Sequence, residues 1–213
     1  MLIHILKVLG VFTITLVISS ALSIPFMKRK LLSGTITQIA LLLISLLLGV
    51  FVLGLDIAAI GIKACDIIPV VFAFVLSLCL GFPLAYLSMV CSRDFEHPLE
   101  IKSLPIYVFM GLILSPTAEE IMFRGVLEGY LLATTNMWIA IILPALLFSL
   151  MHIAPFSKAP KRLLAIILIS ALLLGIVAGA FRYITSSIIP AIVSHASFNL
   201  IGKILEVTVK RKE

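Results

Sequence analysis

The sequence predicts an all-α fold, a polytopic transmembrane helical bundle of about seven spans. Three observations predict it. Of 213 residues, 62% are apolar and only 12% are charged, against about 25% charged in an ordinary soluble domain. Mean hydropathy is +1.27. The apolar residues also fall in runs of about 20, the length that crosses the hydrocarbon as a helix. This composition excludes a soluble domain, a disordered chain and a secreted disulfide scaffold. No alternation of barrel-strand type is visible.

The spans are read in order as about 5–26, 36–55, 67–91, 104–132, 138–152, 162–181 and 186–205. The first has one lysine before a long apolar run, too long for a signal-peptide core, so it reads as a membrane span. The fourth is long and interrupted by Ser115-Pro116, and the fifth is short. Splitting the third or fourth would give an eighth. The chain reads as a single membrane domain over 1–213, with its chemistry-bearing half at about 104–205. The longest loop, Ser92–Ser103, holds Arg93, Asp94, Glu96, Glu100 and Lys102 and reads as an interfacial connector. No internal repeat is seen, which argues against a transporter built from repeated halves.

The net charge of +6 reflects loop anchoring rather than nucleic-acid binding, because no basic-aromatic patch accompanies it. With seven spans one face receives Lys28, Arg29, Lys30, Arg93, Lys102, Lys158, Lys161, Arg162, Lys210, Arg211 and Lys212. The other receives Lys7, Lys63 and Arg182. The positive-inside rule then expects an integral plasma-membrane protein with its N-terminus outside and its C-terminus in the cytoplasm. Cys65, Cys79 and Cys91 have neither disulfide nor zinc spacing and read as small apolar fillers.

Charged residues inside a span are costly, about 2.5–3.5 kcal/mol each at the helix centre. The fourth span nevertheless holds Glu119, Glu120, Arg124 and Glu128. Glu120, Arg124 and Glu128 follow at i, i+4, i+8, so Arg124 can pair with either neighbour. Glu119 lies off that face, without an evident partner in its own span. Ser115-Pro116 reads either as a kink or as the start of a half-helix that would place both glutamates near its positive end. The fifth span ends Phe148-x-x-x-His152, and the seventh stacks His195 over Asn199 at i, i+4. His4 and His97 sit at a terminus and in a loop and receive no role. Gly175 and Gly179 give the sixth span a small-xxx-small face suited to close helix packing. Carboxylates, histidines and an amide on three apolar spans point to one shared polar cavity. That inventory suits activation of a water molecule and stabilisation of an oxyanion.

These residues resemble a known family. Glu119-Glu120-x-x-x-Arg124, Phe148-x-x-x-His152 and His195-x-x-x-Asn199, in this order on separate helices, are similar to the three motifs of the CPBP family. These are the type II CAAX prenyl endopeptidases and their bacterial relatives, formerly the Abi family. The resemblance covers about Ser115 to Gly202. It implies a glutamate-dependent intramembrane endopeptidase without cofactor. By it, Glu119 is the general base, His152 holds and activates water, and His195 and Asn199 stabilise the oxyanion. Glu120 and Arg124 support the site. The alternative within the same residues is zinc held by Glu119, His152 and His195, although the HExxH spacing is missing. The partners implied are the lipid bilayer and a peptide or membrane-protein substrate, prenylated or not, with no nucleic acid. The compact chain suggests a prokaryotic source. Two competing readings are a catalytically silent scaffold, such as a bacteriocin-immunity protein, and a proton-coupled transporter.

Overall fold

The computed structural model describes residues 1–91, 101 and 103–210. It is a helical bundle without strands among those residues. The reason is the solvent: a backbone crossing lipid must satisfy its own N–H and C=O groups, and a helix does so locally. In chain order the helices are α1 (Leu2–Ser23), α2 (Lys30–Phe51), the single turn α3 (Ile57–Ile60) and α4 (Ile67–Cys91). Then come α5 (Leu104–Thr134), α6 (Met137–Met151), α7 (Lys161–Thr185) and α8 (Ile189–Lys210). The helix α1, extended by a 3-10 turn to Phe26, joins α2, α4, α5 and α7 as the five described helices long and apolar enough to cross a membrane. The fifth expected span is the shorter apolar α6. The seventh is α8, 22 residues long, or about 33 Å at 1.5 Å per residue.

The centre of the bundle is α5. Every residue from 118 to 131 is buried, including Met122, Phe123, Val126, Leu127 and Leu131 at 0% exposure. Helices α1 and α2 pack together, and α2 lies along α5. On the other flank α6 packs on α7, while α8 packs on α4, α7 and the first half of α5. Leu43, Leu47, Phe72, Val75, Ile169 and Leu173 are among the apolar side chains left facing outward, as a lipid-facing surface requires. Two helices are capped by side chains before they begin: Asp56 accepts from Ala59 N–H, and Asn136 from Ile139 N–H.

The fourth span is neither split nor restarted at Ser115-Pro116. Leu114 and Ser115 keep right-handed helical backbone. The helix instead widens to π geometry over Val108–Leu114 and again over Ile121–Glu128. Such widenings are rare and concentrate at functional sites. Here the first one accommodates the proline. Ser115 N–H donates five residues back to Met110 C=O, so the next carbonyl, Gly111, would look to Pro116, which has no N–H.

Four expectations change. Arg182 is not a loop charge: it lies within α7 at 4% exposure and donates from Nη2 to Ala59 C=O at 2.7 Å. This bond ties α3 to α7, and a Cβ on Gly61 (φ +81°) would sit 2.7 Å from Arg182 Nε. Cys79 is exposed and does not fill the core. His4 has a partner after all, with Nδ1 2.8 Å from Tyr130 Oη. The small-residue face of α7 also does more than bring helices close. A Cβ on Gly175 would lie 3.1 Å from Arg124 Nη2, and one on Gly179 would lie 3.0 Å from Glu128 Oε2. These glycines make the room in which two buried ionic side chains of α5 sit. The loop charges Arg93, Asp94, Glu96, Glu100 and Lys102, with His97, Arg211 and Lys212, lie outside the described residues.

Candidate active site

The site assembles around the imidazole of His195, which projects from α8 toward α5. Its Nδ1 is 2.9 Å from Glu120 Oε1. The other oxygen of Glu120 is 3.2 Å from Arg124 Nε. A carboxylate paired with a guanidinium only accepts, so Nδ1 carries the proton and the ring is held in one orientation. The opposite nitrogen, Nε2, is 3.9 Å from Glu119 Oε2. That is beyond hydrogen-bond reach and is a separation across which a water or a reacting atom can contact both. One imidazole therefore stands between two carboxylates of adjacent residues, and His195, Glu119 and Glu120 are 5%, 7% and 0% exposed.

Glu119 does have a partner in its own span. Ser115 Oγ donates to its Oε1 at 2.7 Å, one turn earlier on α5. Instead of capping a helix, this serine holds a carboxylate. A second donor to the same oxygen, Gln38 Nε2 at 2.9 Å, comes from α2. The sequence reading missed Gln38. Its signal was the one used elsewhere: it is the sole glutamine of the chain and it lies inside an apolar span.

Arg124 is fully buried. Its guanidinium lies 4.9 Å from the centre of the Phe148 ring and 5.7 Å from that of Phe123, so cation–π contacts supplement the ion pair. The expected ladder is half formed: Arg124 pairs with Glu120, while neither oxygen of the buried Glu128 finds a hydrogen-bond donor among the described residues. Phe148 is the hub of the site. Its ring meets Arg124, the His195 ring edge-on at 5.4 Å and the His152 ring edge-on at 5.1 Å.

His152 ends α6 and is half-buried. Its Nδ1 is 2.8 Å from Phe148 C=O. A carbonyl only accepts, so Nδ1 donates and Nε2 is left as the acceptor of the neutral ring. Asn199 is turned to the same helix as His195 but to the other side of Pro116. Its Nδ2 donates to Gly111 C=O at 2.8 Å, supplying the bond that Pro116 cannot. Tyr107 Oη in turn donates to Asn199 C=O. Glu119, Glu120, Arg124 and His195 are thus in one cluster. His152 joins it through Phe148, and Asn199 lies one turn along α8 against the π-helical segment.

An open apolar cleft of about 320 Å³ lies between α2 and the start of α5, lined by Leu31, Thr35, Pro105, Ile106, Phe109 and Met110. Thr35 is one turn before Gln38 on α2, and Met110 precedes Gly111. Among the described residues, no three His, Cys, Asp or Glu side chains gather closely enough to hold a metal ion.

Residues 101–201 match the family model described as type II CAAX prenyl endopeptidase Rce1-like. Over this segment, just under half of its length, the chain is similar to the CAAX-type membrane protease family. The matched stretch contains Glu119, Glu120, Arg124, His152, His195 and Asn199. No curated protein and no solved structure matches the chain. The long apolar helices make it a helical integral membrane protein, and its matched segment is similar to a membrane protease family.

Proposed function

We propose that the chain is an intramembrane endopeptidase that hydrolyses a peptide bond with water activated by Glu119. The observation that carries this reading is the imidazole between two carboxylates: Glu120 at 2.9 Å anchors Nδ1 of His195, and Glu119 faces Nε2 at 3.9 Å. Glu119 Oε1 is occupied by two donors, so Oε2 is the oxygen available to take a proton from water. His152, with Nδ1 donating to Phe148 C=O, presents Nε2 as a second acceptor for that water.

The attacking water gives one proton to Glu119, and its oxygen bonds to the scissile carbonyl carbon. The carbonyl oxygen becomes the oxyanion. His195 faces it with Nε2, while Nδ1–H stays with the Glu120 carboxylate, which holds the ring in place. Asn199 spends one amide hydrogen on Gly111 C=O and has the second for the oxyanion. Glu119 then passes its proton to the amide nitrogen as the oxyanion re-forms the carbonyl and the C–N bond breaks, releasing the amine and the new carboxyl terminus. Substrate enters from the bilayer along the apolar cleft between α2 and the start of α5. The orientation proposed is N-terminus outside and C-terminus cytoplasmic, in a prokaryotic plasma membrane. The substrate class is a peptide or membrane protein, with CAAX-type C-termini the first to test.

The test is cleavage of a quenched peptide library, farnesylated C-terminal peptides included, by purified protein in detergent. Wild type is compared with Glu119→Gln. The variant is expected to lose at least about 100-fold in rate, and a chelator is expected to leave the wild type unaffected. A well-inserted Glu119→Gln protein that cleaves as fast as the wild type sinks the base assignment. Chelator loss restored by zinc would return the metal set Glu119, His152 and His195.

A further inference from the structure

The N-terminal half carries no motif, yet one of its side chains reaches Glu119. We propose that Gln38 is a positioning residue for the reaction, one that fixes the carboxylate of Glu119 from the neighbouring helix. The inference rests on the reading of Glu119 as the base.

An amide in an apolar span is unfavourable unless it is hydrogen-bonded, and Gln38 is the sole glutamine of the chain. It bonds at 2.9 Å to Glu119 Oε1. The amide must present its nitrogen there, because a carboxylate oxygen only accepts. Ser115 Oγ reaches the same oxygen at 2.7 Å. The two donors come from different directions. Ser115 lies on α5 itself and restrains the carboxylate along the helix, whereas Gln38 lies on α2 and restrains it across the helix–helix interface. Together they hold Oε1 and leave Oε2 turned to His195 Nε2. Without the lateral donor the carboxyl group rotates about its last torsion, and the reacting oxygen leaves its place for part of the time. Orientation losses of this kind lower turnover more than binding.

The experiment uses the full chain and a peptide that the wild type cleaves, with kcat and KM measured separately. Gln38→Met removes the donor and keeps an unbranched side chain of similar length. Its kcat is expected to fall about 10- to 100-fold, the loss of one hydrogen bond to a charged group, with KM within about twofold of wild type. Ser115→Ala is expected to act in the same direction and Ser115→Thr, which keeps the hydroxyl, to restore rate. Should Gln38→Met fail to insert, Gln38→Glu sets a like charge against Oε1 and is expected to lower kcat further. A readout free of turnover is the melting temperature: the effect of Gln38→Met is expected to shrink in a Glu119→Ala background, because its partner is gone. Unchanged kcat in Gln38→Met or Gln38→Glu, beside an inactive Glu119→Gln, overturns this inference and leaves the base in place. A raised KM at unchanged kcat overturns it too, making Gln38 a substrate contact. An active Glu119→Gln removes the base reading instead.

Discussion

Replacing Arg124 with methionine tests the buried pair that orients His195. Arg124 and Glu120 are each 0% exposed, and their charged atoms are 3.2 Å apart. Methionine keeps much of the volume but leaves the Glu120 carboxylate buried with His195 alone. It also removes the cation 4.9 Å from the Phe148 ring. Breaking a buried pair from one side costs about 3–5 kcal/mol. For a chain of this size each kcal/mol moves Tm by about 2–4 °C, so a drop of about 6–20 °C is expected. Glu120→Gln should cost a similar amount, since it strands the guanidinium. The double variant Glu120→Gln/Arg124→Met buries no unpaired charge and is expected to recover more than half of that loss. Its rate should not recover, because an amide facing Nδ1 no longer anchors the His195 ring as the carboxylate does. Thermal unfolding in detergent and peptide cleavage measure the two sides. Tm losses that simply add in the double variant would refute the reasoning.

Asn199→Ala should destabilise by about 1–3 kcal/mol by orphaning Gly111 C=O. Pro116→Ala, which restores an N–H at the right place, should recover part of it, and a double variant less stable than either single one would show the π-helical account to be wrong. Gly175→Ala would put a Cβ 2.8 Å from Ala145 Cβ and 3.1 Å from Arg124 Nη2, an overpacking expected to cost about 1–3 kcal/mol. Gly202→Ala meets nothing within 4 Å and should be neutral or stabilising, so equal melting shifts in the two variants would remove the proposed role of the α7 glycines.

What the sequence determined by itself was the class of molecule and the ionic residues at its centre. Hydropathy alone delimits the helices to within a few residues, because lipid leaves the backbone few other choices. Carboxylates and histidines in apolar spans stand out for the same reason: the cost of burying them is visible without coordinates. The i, i+4 spacing likewise offered Arg124 both Glu120 and Glu128, of which the structure pairs it with Glu120.

The tertiary structure decided what lies between elements. Gln38 and Glu119 are 81 residues apart in the chain, and no periodicity of either helix announces that α2 and α5 meet there. The fate of Ser115-Pro116 depended on α8, because a proline leaves a carbonyl unpaired and only a neighbouring helix could supply Asn199 to it. Gly175 and Gly179 looked like packing residues because a missing Cβ says nothing of what fills the space, which here is Arg124 and Glu128 from α5. Local spacing fixes which face of a helix a side chain occupies. Which partner that face meets is set by how the helices pack, and that packing is a property of the whole bundle.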